Sequence, residues 1–133
     1  ETARRAIAWL RRQTSGPFFL TVHFFDPHDP YDAPLHRLGT SRNLYDAEIA
    51  AVDAGIAAIM RALEARGFLD RTVVTIVADH GEALGDHGEA THGFFVYDGT
   101  MKVPWILSPA AAPGPAAVTP AIVDPPVAEP VTN

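Results

Sequence analysis

The chain has 133 residues, of which 47% are hydrophobic, a formal net charge of −6 and no cysteine. That much apolar material in one modest domain builds a core and excludes a disordered chain. The acidic balance argues against a nucleic-acid partner, no apolar run is long enough to span a bilayer, and the lack of cysteine removes disulfides and thiolate metal sites without fixing a compartment.

In chain order, Thr2 is positioned to cap a helix that carries Ile7 and Leu10 on one face with Trp9 beside them. Arg4, Arg5, Arg11 and Arg12 then form its solvated face, and Ser15-Gly16-Pro17 ends it. No signal-peptide pattern precedes this helix, so a piece of a larger protein is expected. FFLTVHFF, Phe18 to Phe25, reads as a buried strand, with His23 as a core histidine inside it. The prolines of DPHDPYDAP make the next segment an ordered loop, in which Asp26 and Asp29 read as turn-forming residues. Ser41 is a candidate cap for the longest helix, whose apolar stripe is Tyr45, Ile49, Val52, Ile56, Ile59 and Leu63 and whose stop is Gly67. Asp46 and Asp53 lie on this helix, and Asp53 is expected to bond to a loop in a structural role. TVVTIVA, Thr72 to Ala78, has the continuous apolar character of a parallel strand covered on both faces, and VPWIL, Val103 to Leu107, is a further short strand. Helix alternating with strand gives an α/β layer architecture with a mainly parallel sheet over residues 1–107. Residues 108–133 are rich in Pro and Ala and read as a flexible linker or as an extended segment lying on the rest of a fold.

Chemistry concentrates in VADHGEALGDHGEATHG, Val77 to Gly93, where a strand runs out into a glycine-containing loop. Ligands collect beyond the carboxyl ends of strands in open α/β sheets. There Asp79 and His80 can converge on one ion, with Gly81 permitting the turn. A carboxylate and an imidazole suit Zn²⁺, Mn²⁺, Ca²⁺ or Mg²⁺ without choosing among them; the competing reading has Asp79 capping the turn and His80 as a polar loop residue. His92 is close enough in sequence to fold back beside His80, while most of Asp86, His87 and Glu89 are expected to be solvated. The second cluster is PHDPY, where two prolines bracket His28 and stiffen its backbone. Such an imidazole can donate to an anionic oxygen or shuttle a proton, or it can be satisfied within its own loop.

Four blocks in order, PFFLTVHFFDPHDPY, YDAEIAAVDAGIAAIMRAL, TVVTIVADHGEALGDHG and HGFFVYDGTMKVPWIL, resemble the sulfatase family of the alkaline phosphatase superfamily. The resemblance covers most of the chain, up to about Leu107. It implies an alkaline phosphatase-like α/β sandwich with a mainly parallel central sheet, present here as an incomplete fragment. It implies that Asp79 and His80 hold one divalent cation. Calcium is the usual family metal; many members have asparagine where His80 stands, and the histidine leaves Mn²⁺ or Zn²⁺ open. It implies that His28 contacts the sulfuryl or phosphoryl oxygens and that His92 stands where many members have a substrate-facing lysine, both acting as catalytic and substrate-binding groups. Lys102 matches a basic position ahead of the last strand and carries no catalytic role.

The implied reaction is hydrolysis of a small-molecule or glycan sulfate ester. The alternatives are a phosphate or phosphonate ester hydrolase, a phosphoglycerol- or phosphoethanolamine-type transferase, and a non-catalytic metal-binding module. The family nucleophile lies in a C/S-x-P-S-R context, or is a serine or threonine in phosphate-handling relatives; nothing in this chain matches that motif. The upstream acidic pair that completes the metal site is not matched either. Little or no turnover is therefore expected from this chain alone.

Overall fold

The computed structural model describes residues 1–14, 17–31 and 44–110. The chain divides into two compact units, Glu1–Asp70 and Arg71–Asn133.

The first unit is built on two helices. α1, Thr2–Arg12, buries Ala6 and Leu10, and Leu10 is fully enclosed. Thr2 is not its cap: Glu1 takes that position without a side-chain bond, its carboxylate being held by Arg4. The helix stops at Gln13, ahead of the expected Ser15-Gly16, which lie outside the described residues. α2, Leu44–Ala65, packs against α1 and buries Ala47, Glu48 and Leu63. The expected cap Ser41 also lies outside the described residues. Of the apolar stripe, Ile49 turns out to be exposed, and so does Asp53.

The end of α2 follows the expectation. Gly67 adopts φ 63°, its N–H donates to the Glu64 carbonyl at 2.8 Å, and the Phe68 N–H donates to Leu63 at 2.9 Å. This is the Schellman arrangement, and it brings buried Phe68 back over buried Leu63.

Phe18–Phe25 departs from the reading as a buried strand. It is extended, and its side chains alternate between half-buried and exposed, but it forms no strand ladder among the described residues. Its inner face packs: Phe18 meets Trp9 edge-on at 5.6 Å and Phe68 at 5.8 Å, and the Phe24 ring lies over Gly55, where an added Cβ would come within 3.0 Å of it. Its outer face is bare, with Phe19 90% exposed and His23 exposed rather than in the core. A strand pattern specifies which face is buried, but a ladder also needs a neighbour.

The second unit holds the sheet. β1, Val74–Val77, pairs with β2, Trp105–Ser108, in register Val74↔Ser108 through Val77↔Trp105. The pair is antiparallel, where the sequence suggested parallel strands. The connection between them contains a glycine loop with a 3-10 turn at Asp86–Gly88 and one short α-helix, α3, Asp98–Met101; it has no crossover helix to carry the chain back to the start of the sheet. Nor is β1 covered on both faces, since Val77 is 62% exposed. β2 extends one residue past the expected boundary at Leu107, and residues 111–133 lie outside the described set. No helix among the described residues is long and apolar enough to cross a membrane.

Candidate active site

β1 delivers Asp79-His80-Gly81 at its carboxyl end. Asp79 Oδ1 accepts from the His80 N–H at 3.1 Å. His80 Nδ1 lies 2.9 Å from the Gly81 carbonyl, which can only accept, so Nδ1 carries the proton and Nε2 keeps its lone pair. That Nε2 faces Asp79 Oδ1 across 3.9 Å. Two metal–ligand bonds of about 2.1 Å span up to about 4.2 Å, so one divalent ion can reach both atoms. The donor types suit a divalent cation, and at 3.9 Å they stand wider than the roughly 3.4 Å of a tetrahedral pair. Among the described residues no third His, Asp or Glu joins them. Both side chains remain substantially exposed, leaving their open side accessible to further ligands.

Gly81 is fixed by backbone packing. Its N–H donates to the Thr100 carbonyl at 2.8 Å, and a Cβ would collide with the Gly99 carbonyl oxygen and lie 3.3 Å from the Thr100 Cα. Gly81→Ala is therefore expected to destabilise the fold by about 2 kcal/mol, the usual scale of overpacking. Urea unfolding of the variant beside wild type measures it.

His92 does fold back onto His80. Their rings stack with centroids 4.0 Å apart and planes 29° from parallel. Sequence reasoning missed the group that holds His92 there. Glu82, with a side chain only 5% exposed, places its two oxygens 3.3 and 3.4 Å from His92 Nδ1. A carboxylate on Nδ1 orients the ring and directs Nε2 to the opposite side. The available signal was that Glu82 lies two residues past His80 in a loop that must return to it.

The intervening loop is tightly wound. Ala83 N–H donates to Thr91 at 3.0 Å and Gly85 N–H to Glu89 at 2.8 Å, closing a hairpin with Leu84 and His87 both at φ 52°. His87 is half exposed and stacks on Tyr97 at 4.0 Å. Asp86 and His87 are exposed, in line with the expectation for most of this group, while Glu89 is buried. Lys102 pairs at the surface with Asp98 at 2.7 Å, a contact worth little to stability.

His28 belongs to the first unit. Its backbone N–H donates to Glu48 Oε2 at 3.3 Å, its Nδ1 donates to the Asp29 carbonyl at 2.6 Å, and its ring stacks on Phe25 at 4.4 Å. Glu48, 3% exposed on α2, is a second buried carboxylate that sequence reasoning did not single out.

The fold is the α/β arrangement of alkaline phosphatase-like proteins. The chain belongs to the sulfatase family, whose model (Sulfatase) matches residues 1–127. It is similar to an arylsulfatase of Clostridium perfringens, with 25% identity over 73% of this chain and 28% of that protein. It is similar to the steryl-sulfatase of Mus musculus, with 30% identity over 79% of this chain and 19% of that protein. An endo-4-O-sulfatase of Bacteroides thetaiotaomicron is 27% identical over 72% of this chain and 24% of its own length. Among solved structures, yidJ from Bacteroides fragilis, described as a sulfatase, superimposes with a TM-score of 0.67 at 26% identity, over 83% of this chain and 30% of that one. The fold is also that of Ps i-CgsB in complex with k-i-k-neocarrahexaose, with a TM-score of 0.67 at 22% identity over 83% of this chain and 28% of that one. The chain spans less than a third of the length of each of these relatives.

Proposed function

We propose that this chain supplies part of the active site of a sulfuric ester hydrolase. The observation that carries the reading is the meeting of Asp79, His80 and His92 at the end of β1, with His80 Nε2 turned to Asp79 and the His92 ring laid on that of His80. In this reading Asp79 and His80 hold one divalent cation, calcium by family and manganese or zinc by the imidazole donor. When bound, such a cation stabilises negative charge on the attacking and equatorial oxygens.

The chain's own residues do the rest of their share. His92, oriented by Glu82, presents Nε2 to the ester and protonates the departing oxygen or offsets its charge. His28, held by Glu48 and the Asp29 carbonyl, hydrogen-bonds the sulfuryl oxygens. The nucleophile comes from outside this sequence, which contains no C/S-x-P-S-R motif. The names of the relatives, arylsulfatase, steryl-sulfatase and endo-4-O-sulfatase, support a sulfate ester of an aryl, sterol or glycan alcohol as substrate class. The second reading, a phosphate or phosphonate ester hydrolase or a related transferase, draws on His80 standing where many sulfatases have asparagine. A third, a non-catalytic module that keeps the cation, follows from the missing nucleophile.

The test compares 4-nitrophenyl sulfate with 4-nitrophenyl phosphate as substrates for the full-length protein and for the 133-residue chain. The expected result is sulfate-preferring turnover by the full-length protein and almost none by the chain. Preference for phosphate overturns the sulfatase reading, and robust turnover by the chain overturns the external nucleophile.

A further inference from the structure

We infer that Glu89 is a second positioning residue for His92: Glu82 orients the ring, and Glu89 sets the backbone that carries it against His80. Glu89 is 4% exposed, and its Oε1 accepts from the Phe94 N–H at 2.9 Å and the Phe95 N–H at 3.4 Å. Its main chain is tied on the other side: its N–H donates to Asp86 at 3.0 Å and its carbonyl accepts from Gly85 at 2.8 Å. The side chain therefore closes a ring of backbone that runs from Glu89 through Ala90, Thr91, His92 and Gly93 to Phe94. His92 stands in the middle of that ring, and Gly93 completes it at φ 104°.

Nothing apolar does this job. Phe94 is 85% exposed and Phe95 54% exposed, so burial of their rings does not fix the chain after His92. The far end of the turn is held by Thr100, 4% exposed, whose hydroxyl lies 3.1 Å from the Phe95 carbonyl. The Thr100 carbonyl in turn accepts from Gly81, next to His80. A continuous hydrogen-bonded circuit thus joins Glu89, the turn after His92, Thr100 and the residue after His80. A polar turn residue at the surface closes ordinary loops. Burying a carboxylate is costly unless donors meet it; here the Phe94 and Phe95 N–H groups meet Oε1, while Oε2 is buried without a partner among the described residues.

The geometric claim stands by itself, and its catalytic consequence rests on the hydrolase reading. The test uses Glu89→Gln, which keeps an acceptor oxygen, and Glu89→Met, which keeps the volume and loses the acceptor. In NMR spectra of the 133-residue chain, the ring-current-shifted His80 and His92 signals are expected to persist in Glu89→Gln and to collapse in Glu89→Met, with β1–β2 cross-strand contacts intact in both. In the full-length protein, Glu89→Met is expected to lower kcat about a hundredfold, as misplaced catalytic groups do, and Glu89→Gln to stay within about threefold of wild type. In a His92→Ala background Glu89→Met is expected to add nothing, because both changes remove the same contribution. The inference is overturned if Glu89→Met keeps the stacked-ring signals, if it also loses the β1–β2 contacts and so supports the whole unit, or if its kinetic effect adds to that of His92→Ala. Absence of ester turnover in the wild type would overturn the hydrolase reading alone, and the NMR comparison would still decide the role of Glu89.

Discussion

Asp79→Ala is expected to weaken binding of Mn²⁺, Ca²⁺ and Zn²⁺ by at least about a hundredfold, since loss of even an outer-shell partner costs ten- to a hundredfold in metal sites. Among the described residues, Asp79 Oδ1 is the carboxylate oxygen set against His80 Nε2, at 3.9 Å. Isothermal titration of each cation into wild type and variant measures the change. A bound cation also stabilises the folded state, by about 2.7 kcal/mol at a hundred times its dissociation constant, so the melting temperature should rise with added metal in the wild type and not in the variant. Asp86→Ala is the control: its carboxylate is exposed and meets only its neighbour His87, through the backbone N–H and the ring, among the described residues. Equal cation affinity in wild type and Asp79→Ala removes Asp79 from the site.

His92→Ala is expected to lower kcat of the full-length protein on an aryl sulfate by about a hundred- to a thousandfold, the usual effect of deleting one donor aimed at developing charge. KM should change much less, because that interaction strengthens in the transition state. His92→Lys is expected to recover most of the rate, since many family members resembled by this sequence carry lysine there. Recovery by lysine identifies the need as a cationic donor. If His92→Ala turns over at the wild-type rate, the imidazole has no part in the reaction, however well it stacks on His80.

The sequence brought Asp79, His80 and His92 together more readily than it showed what braces them. Asp79, His80 and His92 were legible because a β-branched run ending in glycine-separated ionisable residues defines a strand end followed by a returning loop. The stop of α2 at Gly67 was legible because only a glycine accommodates the left-handed turn at so small a cost. Glu82 and Glu89 were not. They look like their solvated neighbour Asp86, and which carboxylate turns inward depends on where the returning backbone places its N–H groups. Strand direction was hidden for a similar reason: the Val/Ile content of Thr72–Ala78 reports burial, whereas antiparallel pairing is decided by the path of residues 78–104. Phe18–Phe25 is extended and packs one face, but a ladder requires a second strand, which no single segment encodes. Thr2 failed as a cap because the helix already begins at that residue.

The contact of Gly81 with Gly99 and Thr100 is backbone on backbone, with no side chain between to absorb a shift. A shift of the backbone at His80 therefore presses directly on α3, the element that leads into β2 and its solvent-facing Trp105. In a Trp9→Phe background, Trp105 emission is expected to shift on adding the cation if the proposed Asp79-His80 pair takes it up.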